Sequence, residues 1–187
     1  MDGLWILVVF VIGSLAAAAL VVFALAGYLN PNFQFWPPER GKPWQYHVFW
    51  TLFRMFVLAL IALCVMDYHG AGSVPIGLAV VGWSVAALGF GTALYLTVFL
   101  GWKTAYSVDP QGLRTDGVFA RSRNPIYVAT LLGMVGLGLA VASWWVTILL
   151  ALWALFYVFA PLLEEPWLER TYGQDYLDYK RRTPRFF

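Results

Sequence analysis

Two short runs hold the side chains that could act together chemically: Arg121-Ser122-Arg123-Asn124-Pro125 and Glu164-Glu165-Pro166. Arginines set against carboxylates make strong charge-assisted hydrogen bonds, so the pair of runs could hold a ligand bearing both an ammonium and a carboxylate. The prolines add to this. Pro125 suits the first turn of a helix, whose mouth leaves backbone N–H donors free. Pro161 removes a helix bond and frees the carbonyl of Tyr157, and Pro166 does the same to Leu162 if the helix continues. Charge alone favours a plainer reading, in which these are ordinary juxtamembrane charges and the glutamates only neutralise nearby arginines.

Some forty residues separate the two runs, so the intervening elements must bring them together. The chain has 187 residues, of which 61% are hydrophobic and 12% charged. Average soluble domains are about 45–50% apolar and about 25% charged. The excess lies in blocks, which predicts an all-α, polytopic membrane helix bundle forming one domain over residues 1–187. The net charge of +2 gives no reason to expect a nucleic-acid partner. The lone Cys64 lies in an apolar run and reads as a small buried hydrophobe. No His, Cys and carboxylate spacing suits a metal, and no P-loop or Ser/His/Asp arrangement is present.

A span needs about 20 apolar residues. Leu4–Leu29, Val48–Met66 and Val74–Leu100 qualify, the second interrupted by Arg54. The first lacks basic residues before it and runs too long for a signal peptide, so it is expected to be a retained helix. Ile126–Leu163 is too long for one crossing, and "ASWW" at 142–145 is a place to turn, giving spans Ile126–Ala142 and Trp144–Leu163. With five spans, one side carries Arg40, Lys42, Lys103, Arg114, Arg121, Arg123, Arg170, Lys180, Arg181, Arg182 and Arg185, and the other side no Lys or Arg. The positive-inside rule then places the C-terminal tail in the cytoplasm and the N-terminus outside. The aromatic, proline-rich loop 30–47 is expected at the membrane interface. In the tail, Leu168, Tyr172, Tyr176 and Tyr179 recur at helical spacing, an amphipathic segment that Gly173 interrupts.

The hairpin of the last two spans supplies the meeting. Pro125 to Ser143 is eighteen residues, about 27 Å of helix, and Ser143 back to Glu164 is twenty-one, about 31 Å. Arg121, Arg123, Asn124, Glu164 and Glu165 therefore return to one level at the bundle's mouth.

At these residues the chain resembles the integral-membrane methyltransferases that include isoprenylcysteine carboxyl methyltransferase and phosphatidylethanolamine N-methyltransferase. The resembling features are Gly117, "RNPIY" at 123–127, Glu164-Glu165, "YGQDYLDYKRR" at 172–182 and "TPRFF" at 183–187. They cover about residues 101–187, the part expected to bind cofactor. Asn124 stands where that family has histidine, and asparagine can neither titrate nor carry charge. The resemblance implies S-adenosylmethionine as methyl donor and a lipophilic acceptor entering from the bilayer: an isoprenylcysteine-like carboxylate, a phospholipid amine or a small apolar molecule. It implies Arg123 and Glu165 as catalytic residues. It implies a cofactor site of Arg123, Asn124, Pro125, Tyr127, Glu164 and Glu165, with Glu164 or Glu165 on the ammonium and Arg123 on the carboxylate. Gly89 and Gly91 in "LGFGTA" are similar to a Gly-x-Gly cofactor motif of the phospholipid branch, although small residues in spans more often serve helix packing.

Other residues stay open. His47 heads the second span and could approach the mouth, whereas His69 lies in the opposite loop and reads as structural. Arg54 either snorkels to the interface or faces a site. Two further functions also fit: an NADPH-dependent membrane reductase of the sterol type, with a similar Arg-x-Pro-x-Tyr region, and a non-catalytic membrane scaffold. The expected location is a prokaryotic cytoplasmic membrane, or the endoplasmic reticulum of a eukaryote.

Overall fold

The computed structural model describes residues 2–30, 32–33, 35–38, 43–68, 74–101 and 112–187. These form six helices: α1 Asp2–Leu29, α2 Pro43–Met66, α3 Ile76–Leu100, α4 Pro125–Val141, α5 Trp144–Tyr172 and α6 Gln174–Arg182, with a 3-10 turn at Gly117–Ala120 before α4. No strand occurs among the described residues. Four helices are long and apolar enough to cross a membrane: Gly3–Leu29 within α1, Trp44–Met66 within α2, Ile76–Leu100 and Trp144–Tyr172. The remaining expected span, the fourth along the chain, is α4, with 17 residues. At about 25 Å it is shorter than a hydrocarbon core of about 30 Å. Large apolar side chains on outward faces, among them Leu15, Leu58, Val80 and Val135, are exposed. In water such surfaces would aggregate, whereas lipid solvates them.

The turn between α4 and α5 falls within the predicted "ASWW". Ala142 takes up a left-handed conformation with φ 53°. Ser143 then caps α5 by accepting the Val146 N–H at 3.2 Å. The Ser143 hydroxyl also donates to Asp67 at 2.5 Å, tying the end of α2 to this turn. So the end of α2 and the α4–α5 turn meet at one end of the bundle.

Two other boundaries differ from expectation. The fifth predicted span stops at Leu163, but α5 runs through Pro161 and Pro166 to Tyr172. At 29 residues, about 44 Å, it overreaches the core, and its last turns carry the polar residues of the mouth. In the loop expected at the interface, Phe35, Trp36, Pro37 and Pro38 are buried. Phe35 and Trp36 pack with Leu20 and Ala24 of α1, Phe49 of α2, and Phe156 and Ala160 of α5. Aromatic side chains of this size stabilise more by filling a core than by resting at its edge.

Helices α3 and α4 approach closely through glycine. A Cβ on Gly89 would lie 2.3 Å from the Gly133 nitrogen, and one on Gly136 would lie 2.3 Å from the Ala86 nitrogen. Packing through small residues is how helices associate where lipid leaves no hydrophobic drive between them. We predict that Gly136→Val forces α3 and α4 apart and lowers stability by about 1–3 kcal/mol or more. Gly91→Ala, where a Cβ meets nothing within 4 Å, should leave stability unchanged. Thermal unfolding in detergent measures both; equal stability of the Gly136 variant would remove the seam as a constraint.

Candidate functional site

The RSRNP run is fixed by the C-terminal tail. The Arg123 backbone N–H donates to the Pro184 carbonyl at 3.0 Å. The Asn124 side-chain amide donates to the Arg185 carbonyl at 2.9 Å. Ser122, fully buried, accepts the Asn124 N–H at 3.2 Å. Asn124 therefore makes no side-chain cap for α4; its amide fastens the tail instead. The Tyr179 hydroxyl donates to the Phe119 carbonyl at 2.6 Å, pinning α6 to the 3-10 turn. Burial pushes that hydroxyl up to about 12, so it keeps its proton at neutral pH.

The two glutamates, adjacent in sequence, have different surroundings. Glu165 is buried among three cations. Arg123 Nη1 lies at 3.1 Å and Lys180 Nζ at 3.3 Å. Arg185 grips it with Nε at 2.7 Å and Nη2 at 2.9 Å. A buried carboxylate is tolerable when it is paired and hydrogen-bonded in this way. The Glu165 bond in turn raises Arg185 above the ordinary guanidinium value. Glu164 instead accepts the Tyr127 hydroxyl at 2.9 Å. The Tyr127 ring stands edge-on to Tyr157, with centroids 4.9 Å apart.

Both glutamates border a cavity of about 380 Å³, a size suited to a small ligand. Its polar end is formed by Arg123, Asn124, Glu164, Glu165, Tyr172 and Tyr176, beneath Gly112, Leu113 and Arg114. Its other end is apolar and aromatic, with Phe53 and Val57 from α2, Phe90 and Ala93 from α3, and Trp153 and Tyr157 from α5. Trp153 precedes Glu164 by eleven residues, so the cavity descends about 16 Å into the bundle. Three buried donors of its wall residues have no hydrogen-bond partner: Nε of Arg123 and the indole Nε1 atoms of Trp36 and Trp153. Thr97 and Thr130, also on the wall, donate to the helix carbonyls of Ala93 and Ile126.

The structure thus brings Arg123, Asn124, Pro125, Tyr127, Glu164 and Glu165 to one cavity. It does not bring Gly89 and Gly91 there. Gly89 is buried in the α3–α4 seam and Gly91 faces outward. His47 and Arg54 are exposed on α2, outside the cavity wall; His69, Arg40, Lys42 and Lys103 lie outside the described residues. The tyrosine stripe Leu168, Tyr172, Tyr176 and Tyr179 lines the cavity. Sequence reasoning missed Trp36, Phe90 and Trp153 as wall residues and Arg185 as a partner of Glu165. The signal for Arg185 was present in "TPRFF", since a buried glutamate between helices needs a cation.

A family model described as phospholipid methyltransferase matches residues 65–175. The match takes in α3, which lies outside the resembling segment, and ends before "TPRFF". The chain is 34% identical over 142 residues to "Cobalt-zinc-cadmium resistance protein CzcN" of Cupriavidus metallidurans, across 74% of this chain and 61% of that protein. It is 40% identical over 76 residues to "Nickel-cobalt-cadmium resistance protein NccN" of Alcaligenes xylosoxydans xylosoxydans, across 40% of this chain and 35% of that protein. The chain thus spans less than two thirds of either relative. No solved structure matches it.

Glu165→Ala would leave the Arg123 guanidinium, 8% exposed, buried without its carboxylate. The expected loss is about 3–5 kcal/mol. Arg185→Ala removes a cation that is 37% exposed, and solvent screening should limit that loss to about 1 kcal/mol. Thermal unfolding of the two variants in detergent should rank them in this order; a mild Glu165 variant would contradict its place at the centre of the network.

Proposed function

The chain belongs to the phospholipid methyltransferase family and is an integral membrane protein; from that premise we propose that it transfers a methyl group from S-adenosylmethionine to a lipophilic acceptor. The observation that carries the proposal is a single cavity with a charged end and an aromatic end about 16 Å deeper.

The residues present fit such a donor. Glu164 lies on the cavity wall and accepts the Tyr127 hydroxyl, and its carboxylate suits the donor's ammonium. The unpartnered Nε–H of Arg123 and the N–H groups opening α4 suit its carboxylate. Glu165 is engaged by three cations of its own chain, so its part becomes positioning: it holds Arg123 in place. The faces of Tyr127 and Tyr157 suit a sulfonium through cation–π attraction. When bound, S-adenosylmethionine supplies an electrophilic methyl group.

The chain's own work is then to orient and to exclude water. Phe53, Phe90 and Trp153 would surround the acceptor's apolar body, and the Trp153 indole N–H would donate to an oxygen on it. Asn124 cannot take a proton, and its amide is committed to the tail. An acceptor already deprotonated at neutral pH, such as a carboxylate, therefore suits the site best. Four long apolar helices and the shorter α4 would make five crossings, with the basic mouth on the cytoplasmic side. A metal-resistance role, as in the names of the two relatives, would reach this chain through a modified membrane component. Among the described residues no three His, Cys, Asp or Glu side chains gather to hold an ion.

Calorimetry on purified protein should show binding of S-adenosylmethionine or S-adenosylhomocysteine. Glu164→Gln should weaken it by about 1.5–3 kcal/mol. In oriented vesicles, labelled donor should bind only from the cytoplasmic face. Binding of reduced nicotinamide phosphate in its place would favour a reductase, and binding of neither a scaffold.

A further inference from the structure

Arg54 is the twelfth of the 24 residues of α2, about 16 Å of helix from its start and about 18 Å from its end. It is exposed on an outward face. It makes no ion pair or hydrogen bond among the described residues. An unpaired guanidinium at that depth in hydrocarbon is costly, so something outside the fold must meet it.

The stripe around it indicates what does. His47, Thr51 and Arg54 follow one another at i, i+4 and i+7, on one face of α2, and all three are exposed. Farther along the same face the exposed residues are Leu58, Ile61 and Val65. The stripe is polar in the N-terminal half of α2 and apolar in the other half. Helical side chains lean toward the helix N-terminus, which carries the Arg54 guanidinium toward Thr51 and His47. This order matches a lipid lying along the helix, its anionic headgroup drawn down to the polar half and an acyl chain against the apolar half.

A second copy of this chain cannot supply the counter-charge. No Asp or Glu occurs in 3–29, 44–66, 76–100 or 125–141, and those of α5 are confined to its polar end. There Glu165 is already surrounded by cations. We infer that the outward face of α2 binds the phosphodiester of an anionic membrane lipid through Arg54, with Thr51 and His47 as further donors. The site is separate from the cavity and does not depend on the methyl-transfer reading.

The test uses full-length protein in neutral detergent, titrated with dioleoyl-phosphatidylglycerol, with dioleoyl-phosphatidylcholine and with inorganic phosphate. Native mass spectrometry follows lipid retention, and thermal unfolding follows stabilisation. Phosphatidylglycerol should be retained and should raise the unfolding midpoint, phosphatidylcholine should do so less, and inorganic phosphate should have no effect. Arg54→Gln should weaken phosphatidylglycerol about tenfold, as expected for a lost charge-assisted contact. Arg54→Lys should keep most of the affinity. The double variant His47→Ala/Thr51→Val, at exposed positions, gives a second reading should Arg54→Gln fail to fold, and should also weaken retention. Unchanged phosphatidylglycerol affinity in the variants overturns the inference. So does an equal response to inorganic phosphate, or a stoichiometric second polypeptide that Arg54→Gln releases.

Discussion

The arrangement of the mouth depends on one buried carboxylate. Glu165 draws Arg123 from the start of α4, Lys180 from α6 and Arg185 from the tail onto the end of α5. Arg123 arrives from some forty residues away, and neither its guanidinium, 8% exposed, nor the Glu165 carboxylate could be buried alone; Lys180 and Arg185 close the network from its more exposed side. Once they converge, the neighbouring contacts are placed: Asn124 and Arg123 on the tail's carbonyls, Tyr176 against the Arg123 guanidinium at 3.3 Å, and Tyr179 on Phe119. The adjacent Glu164 stands on the cavity wall, where it accepts the Tyr127 hydroxyl.

This separation of adjacent residues organises the chemistry in our reading. One glutamate stabilises the cation that would hold a ligand's carboxylate, and the other would hold its ammonium. A ligand bridging them would lie across the mouth, with the aromatic shaft beneath it. The shaft offers no carboxylate and no histidine among its described wall residues. Positioning and dryness, rather than proton transfer, are what it can contribute.

Much of this was legible in the sequence. Helix rise and the "ASWW" turn were enough to predict that Arg123 and Glu164-Glu165 would share one level, because a straight hairpin leaves little freedom. The choice between Glu164 and Glu165 was not legible, since it depends on which cations arrive from the tail and from what angle. The burial of Phe35 and Trp36 was hidden for a related reason: a proline- and aromatic-rich loop reads as interfacial until the neighbouring helices reveal a space to fill. Gly89 shows the limit of short motifs. Gly-x-Gly is compatible with a cofactor or with close packing, and it takes the fold to show that a Cβ at Gly89 would collide with the Gly133 backbone.

The central claim is that one cavity brings a methyl donor at its charged end to a lipophilic acceptor at its aromatic end. The most direct measurement is transfer of labelled methyl from S-adenosylmethionine into a total lipid extract by the reconstituted protein. The account predicts label in the organic phase with the native chain, and its loss when Trp153→Leu removes the deep indole while donor binding persists. Donor binding without any transfer to lipid, or transfer only to water-soluble acceptors, would contradict it.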